Sequence, residues 1–274
     1  MVDTPVIFDD GASYERFMGR WSRAVGATFL QWVTPPKGAD WLDVGCGTGV
    51  LTQLVVDTCE PASVVAVDPA AAQIDHAHKQ PVAQRADFRI ADAQSLPFSD
   101  CAFDVVASAL VLNFIPDRPR ALAEMRRVAR PGGIVAAYVW DFAQGRGTAW
   151  PLARGMREVG IEVPRVPGAE DTSIAALQSL LERAGYQDIA VRSIEATQTY
   201  PSFDDFWTSQ VPPFTPNGKA IAMLSDAKRA ELAVAVRALL PISPDGNIVY
   251  SAMANAVKAR VPVAGRSKGG QEKA

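Results

Sequence analysis

Apolar residues recur at every fourth position between residues 13 and 33. Phe17, Trp21, Val25 and Phe29 share one side of a predicted helix, which Pro35 and Pro36 stop. A short apolar run at 41–44 comes next, then Gly45, Gly47 and Gly49, then Val50, Leu51, Leu54 and Val55 at helical spacing. The order is strand, turn, helix. The same alternation predicts strands at 64–67, 88–90, 103–107 and 134–140, with helices at 70–79 and 118–128. Parallel strands need crossover connections, so this alternation, with little room for hairpins, calls for a mostly parallel sheet covered on both faces. The fold class is therefore α/β and doubly wound.

Past Trp140 the pattern changes. Residues 141–171 are rich in Gly, Pro and Arg, with one predicted helix at 150–159, and are expected to line or cover a site. Thr172 or Ser173 caps a helix that runs to Ala184, Gly185 ends it, and 189–199 reads as a strand. Residues 247–261 form a second long extended candidate, although the alanine-rich SAMANAVKA leaves a helix open there. Helical pieces at 203–209 and 225–239 make the intervening stretch too long for a hairpin loop, and an insertion at about 200–246 is expected to cap a substrate. Residues 265–274, small and charged, are expected to be a disordered tail.

Composition narrows the function classes. A chain of 274 residues, 48% hydrophobic, can bury the core of one elaborated domain. Its 27 basic and 30 acidic residues provide no overall positive field for a polyphosphate backbone, so nucleic acid is disfavoured as a partner. Cys46, Cys59 and Cys101 are odd in number and lack CxxC spacing, which suggests neither a disulfide framework nor a zinc site. His76 and His78 fall in the second predicted helix and read as surface residues, and no metal-ligand spacing is present, so no metal is expected. Acids precede any apolar run at the N-terminus and no apolar stretch reaches membrane-spanning length, so a soluble, cytoplasmic protein is expected. Arg126, Arg127 and Arg130 read as a solvated face or as caps for helix carbonyls rather than a phosphate site.

The segment from Trp41 to Gly49, WLDVGCGTG, combines a buried strand, an acid two residues before the first glycine, and three glycines leading into a helix. Glycine permits positive φ and lets a ligand approach the backbone, and a helix start presents unpaired N–H groups. Dinucleotide oxidoreductases use GxGxxG at this place, but the last glycine of that fingerprint would fall at Val50, which removes the specific support for NAD. Asp68, about 20 residues past the glycines, is placed to accept two ribose hydroxyls, as an acid does in other doubly wound nucleotide sites. Each acid also has a plain structural alternative: Asp43 as a turn cap, Asp68 before Pro69 as a turn residue, Asp92 as a solvated loop acid.

Taken together, DVGCGTG, AVDPA, ADAQSLPF and RPGG, spread over about 40–140, resemble the motif series of class I S-adenosylmethionine-dependent methyltransferases. The wording, with YERFMGRWS near the N-terminus, is similar to the small-molecule branch that includes ubiquinone and menaquinone biosynthesis enzymes. The resemblance implies a seven-stranded, Rossmann-like methyltransferase fold over 1–264, with a core at about 36–141, a helical lid at 11–34 and the cap at about 200–246. It implies S-adenosylmethionine as cofactor. Asp43 would hold its ammonium group, while Gly45, Cys46, Gly47 and Gly49 face the methionine moiety. Asp68 and Pro69 would lie at the ribose, and Asp92 and Ala93 at the adenine, which Leu96 and Phe98 could wall. Tyr14, Met18, Trp21 and Ser22 are candidates to close over the cofactor, with core packing as the alternative. Ser108, Val111 and Asn113 are expected to border the reactive methyl.

Trp140, Asp141, Trp150, Phe206, Trp207 and Phe214 are expected to help form a pocket for a flat or apolar small-molecule acceptor, phenolic or quinone-like, with core packing again the alternative for the aromatics. No catalytic base stands out, and methyl transfer from a sulfonium requires none. Val211-Pro-Pro-Phe214 is similar to the signature of amino-methylating nucleic-acid enzymes, but it lies about a hundred residues too late and lacks the leading Asn or Asp, so it is read as accidental. A protein that binds S-adenosylmethionine without transferring methyl is the alternative to an enzyme. The acceptor and the oligomeric state are left open.

Overall fold

The computed structural model describes residues 11–213 and 215–263, the side chains of 11–17 excepted. Along the chain run α1 (Gly11–Val33), β1 (Asp40–Val44), α2 (Val50–Thr58), β2 (Ser63–Asp68), α3 (Ala71–Ala77), β3 (Asp87–Ile90), β4 (Phe103–Ala109), α4 (Arg118–Val128) and β5 (Ala129–Trp140). Then come α5 (Trp150–Glu158), α6 (Ile174–Arg183), β6 (Gln187–Tyr200), α7 (Phe203–Gln210), α8 (Pro216–Ala222), α9 (Asp226–Ala238) and β7 (Ile248–Arg260). The seven strands form one sheet in the order β3-β2-β1-β4-β5-β7-β6, parallel except for β7, which runs antiparallel to both neighbours.

Strand alternation assigns two cores, one on each face. Trp41, Val105 and Ala136 join a cluster with Val25 and Phe29 of α1, Val55 of α2, Phe206 of α7 and Leu232 of α9. Leu42, Val106 and Ala137 join another with Leu122 and Met125 of α4 and Leu177 and Leu181 of α6. Side chains buried on both faces explain why these strands read as unbroken apolar runs. Helix starts carry the expected caps: Asp117 accepts the Arg120 N–H, Ser173 the Ala176 N–H and Ser225 the Lys228 N–H. Gly185, at φ 76°, follows α6 where a left-handed C-terminal residue is needed.

The C-terminal extended candidate is a strand, and the helix left open by its alanines does not form, because β5 and β6 pair with both of its edges and its small side chains are buried between the layers. One element departs from the sequence pattern. It is α8, hidden by its helix breakers. Pro216 sits in the first turn, where its missing N–H costs nothing, and Thr215 caps it by accepting the Gly218 N–H. A Cβ at Gly218 would fall 2.0 Å from the Pro212 carbonyl oxygen, so glycine is required there. No described helix is long and apolar enough to cross a membrane. The predicted tail at 265–274 lies outside the described residues, as does Phe214.

Candidate functional site

Parallel sheets bind ligands beyond the carboxyl ends of their strands. Here the ends of β1, β2, β3 and β4 open on a cavity of about 620 Å³. The glycine loop crosses its floor. Gly45 N–H and Cys46 N–H both donate to the Val67 carbonyl, at 2.7 and 2.9 Å, which ties the loop to β2. Gly45 has φ 77°, and a Cβ there would stand 2.6 Å from both methyls of Val111, so the wall from β4 rests directly on this glycine.

Three carboxylates face the cavity. Asp43 is fully buried; its Oδ2 accepts from Thr52 Oγ1 at 2.6 Å, while its Oδ1 is buried without a hydrogen-bond partner. Burial pushes its carboxyl up from 3.8 to about 7, with the nearby Asp68 charge adding to the rise against the Thr52 hydrogen bond. Asp68 accepts the Gly47 N–H on Oδ2 at 3.0 Å and the Ala70 N–H on Oδ1 at 2.9 Å. These two bonds fix the carboxylate plane, and each oxygen keeps a lone pair for a ligand. Burial raises the pKa of Asp68 as well. Asp92 is exposed at the end of the β3 connection, where its oxygens accept from the backbone and side-chain N–H groups of Gln94. Cys46 also lines the cavity, with its thiol pushed well up by burial.

A family model described as a methyltransferase domain matches residues 42–137, the span that supplies all three acids and the loop. Among curated proteins, a malonyl-[acyl-carrier protein] O-methyltransferase of Serratia marcescens is 33% identical over 52% of this chain and 55% of its own. An O-methyltransferase of Aspergillus nomiae is 30% identical over 59% of this chain and 70% of its own. The chain belongs to the class I methyltransferase family. Its architecture is similar to that of a phosphoethanolamine N-methyltransferase from Haemonchus contortus solved with S-adenosyl-L-methionine, with a TM-score of 0.58, 18% identity and coverage of 95% of this chain and 59% of that one. The chain spans about half the length of the malonyl-[acyl-carrier protein] O-methyltransferases it matches.

Within this methyltransferase fold, Asp43, Gly45, Cys46, Gly47, Asp68, Pro69, Asp92, Ala93, Val111 and Ser22 meet at the cavity. Others of the expected set do not. Gly49 starts α2 at φ 89° and faces away; a Cβ there would meet the Phe88 ring at 3.0 Å. Met18 and Trp21 pack inward, with the Trp21 ring edge-on to Trp140 and Tyr250 and its Nε1 donating to the Tyr200 hydroxyl at 3.3 Å. The side chain of Tyr14 lies outside the described residues. Ser108 shares the Val106 face of β4 by strand alternation, and Asn113 falls in the 3-10 turn at Leu112–Phe114 that follows Leu110, at φ 62°; neither lines the cavity. Asn113 is buried there, its Nδ2 donating to the Pro167 carbonyl at 3.0 Å and its Oδ1 without a hydrogen-bond partner.

Leu96 and Phe98 pack under the sheet against Phe103 rather than on the cavity. Trp140, Trp150, Phe206 and Trp207 belong to the aromatic core, and buried Asp141 pairs with Arg146. None of the described residues of α7, α8 and α9 lines the cavity. The arginine cluster is structural: Arg127 bridges Glu124 and Asp100, Arg130 bridges Asp40 and Asp104, and Arg126 donates to the Ala184 carbonyl at the end of α6. In their place Leu110, Phe114, Ile115, Pro116, Gln73 and Tyr138 line the site. Tyr138 arrives through register, since it pairs with Ala109 at the end of β4, which residue spacing alone does not reveal.

Proposed function

We propose that this family member transfers the methyl group of S-adenosylmethionine to a small-molecule acceptor. The observation that carries the reading is the row of acids at the ends of β1, β2 and β3, Asp43, Asp68 and Asp92, facing one cavity across a glycine loop. The residues fit that cofactor. The partnerless buried oxygen of Asp43 suits an ammonium group, the two oriented oxygens of Asp68 suit a cis-diol, and Asp92 with the Ala93 backbone N–H suits an aminopurine edge. When bound, S-adenosylmethionine supplies a sulfonium methyl, which the acceptor's lone pair takes as the C–S electron pair returns to sulfur and the acceptor's proton leaves to solvent.

The chain's own part is alignment and exclusion of water. Leu110, Val111, Phe114 and Ile115, past or at the end of β4, line the same cavity with apolar side chains that would keep water from the methyl group. The relatives' names range from a malonyl-acyl-carrier protein to a demethylrifamycin, so they do not select the acceptor. Calorimetric titration with S-adenosylmethionine and S-adenosylhomocysteine tests the reading, with NAD in parallel. Both sulfur nucleotides should bind, and Asp68→Ala should weaken them by at least about a hundred-fold, because two charge-assisted hydrogen bonds of about 1.5–3 kcal/mol each are lost. Binding of NAD alone, or an Asp68→Ala variant that binds as well as wild type, would refute it.

A further inference from the structure

Asp92 lies on the loop between β3 and β4, and that loop is bound to α4 near the start and near the end of the helix. Near the start, the Asp117 backbone N–H donates to Gln94 Oε1 at 3.1 Å. This bond decides which way the Gln94 amide faces. Its oxygen is taken, so Nε2 is the end that meets Asp92, donating to Oδ1 at 3.1 Å and to Oδ2 at 3.0 Å. The Gln94 backbone N–H adds a bond to Oδ1 at 2.9 Å. Near the end, Glu124 Oε2 accepts the Leu96 N–H at 2.8 Å, and Arg127 donates to the carbonyls of Leu96 and Phe98 at 2.9 and 2.7 Å. The remaining N–H groups of Arg127 go to Asp100 and Glu124, so the whole guanidinium fork is spent on this loop and on the acid beside it.

A carboxylate that turns freely accepts a hydrogen bond from many directions. Asp92 is exposed, yet both of its oxygens are gripped by a side chain that is itself gripped from α4. We propose that Gln94 is a specificity-determining positioning residue: by fixing the Asp92 carboxylate, it makes the site select a purine with a 6-amino group over one with a carbonyl at the same place. The proposal rests on the reading above that sets the aminopurine edge at Asp92. Held in one orientation, the carboxylate offers a lone pair to an amino group but sets acceptor against acceptor when it meets a carbonyl. Released from Gln94, it would turn to the ring N–H that a 6-oxo purine carries beside that carbonyl, and discrimination would fall although the acid is still present. The clamp of Glu124 and Arg127 keeps the loop itself in place, which leaves the rotation of the Asp92 side chain for Gln94 to control.

The test compares S-adenosylhomocysteine with S-inosylhomocysteine, identical but for a 6-oxo group in place of the 6-amino group, by calorimetric titration of the full chain near neutral pH. The wild type should bind the adenosyl compound roughly ten-fold or more tighter. Gln94→Met, which keeps the length of the side chain and none of its hydrogen bonds, should bring that ratio below about three-fold. In an Asp92→Ala background the same substitution should leave the ratio as it stands, because the acid through which Gln94 acts is gone. A residue that only stabilised the loop would weaken both ligands by one factor and leave the ratio unmoved. A wild type without preference, a Gln94→Met ratio equal to that of the wild type, or a ratio that still falls in the Asp92→Ala background would overturn the proposal. Failure of S-adenosylhomocysteine itself to bind would instead overturn the cofactor reading on which it rests.

Discussion

Asp43 combines complete burial, a carboxyl pushed up to about 7 and an oxygen without a hydrogen-bond partner. In the free protein this acid is protonated over most of the acidic range, because an ionised carboxylate there would be unsolvated. An arriving ammonium group stabilises the charged form, so cofactor binding should expel a proton wherever the free protein still holds one. Below about pH 7 affinity should therefore rise with pH, and above it the dependence should flatten. Calorimetry of S-adenosylhomocysteine in two buffers of different ionisation enthalpy checks this: close to one proton released at about pH 5.5, and a much smaller fraction at about pH 7.5. Asp43→Asn should bind more weakly and release no proton from this source. The wild type releasing none at acid pH would mean that Asp43 does not face the ammonium. The sequence pointed to this acid through its place in DVGCGTG, which resembles the first methyltransferase motif, with a turn cap as the alternative. It could not reveal Thr52, whose hydroxyl reaches Asp43 only once α2 folds back over β1.

At the scale of elements, the regular strands and helices were legible because each keeps one period and has a chemical stop, such as Pro35 after α1 or Gly185 after α6. The segment after β4 was not, and it lines the cavity with Leu110, Val111 and Phe114. Leu110 takes a left-handed conformation that costs a non-glycine residue about 1–3 kcal/mol, and no local pattern announces it. What holds it comes from far along the chain. Its N–H donates to the Tyr138 carbonyl, and the following turn is clasped by Arg118, Asp171 and Pro167. Gly168 closes the clasp at φ 60°, with its Cβ position 2.3 Å from the Asn113 carbonyl oxygen. The Arg118–Asp171 pair is only partly exposed, so it is screened less than a surface pair. Asp171→Asn should therefore loosen the turn without unfolding the sheet. Hydrogen exchange should quicken roughly ten-fold at the Phe114 and Ile115 amides while the β7 amides keep their protection. Unchanged exchange at 114 and 115 would show that the ion pair does not hold the wall.

Across the whole molecule, two sets of acids pull stability in opposite directions as pH changes. Asp43 and Asp68, raised by burial, hold protons that the unfolded chain has already released. Their contribution is therefore greatest at acid pH and is lost as pH rises, for Asp43 toward about 7. For Asp43 alone the ceiling is about 4 kcal/mol, from the free-energy equivalent of its shift. Asp40 and Glu124 are lowered, Asp40 by hydrogen bonds from Ser63 and Arg130 and Glu124 by its bond with Arg127, so their contribution is present near neutrality and is lost at low pH. Both side chains remain partly exposed, at 34% and 22%, so solvent screening reduces their effect. The free protein should accordingly be most stable in the mildly acidic range, at about pH 5, and lose several degrees of Tm by about pH 7.5. S-adenosylhomocysteine should reverse the slope, since its ammonium compensates ionised Asp43 and its affinity grows over the same interval. At a hundred times Kd the ligand adds about 2.7 kcal/mol. Thermal unfolding across pH, with and without the ligand, and repeated on Asp43→Asn, separates the contributions. The variant should lose the acid-side advantage of the free protein while keeping the decline at lowest pH that Asp40 and Glu124 produce. A free wild-type protein whose Tm rises steadily from pH 5 to 7.5 would show that surface pairs, not the buried acids of the site, govern its response to pH.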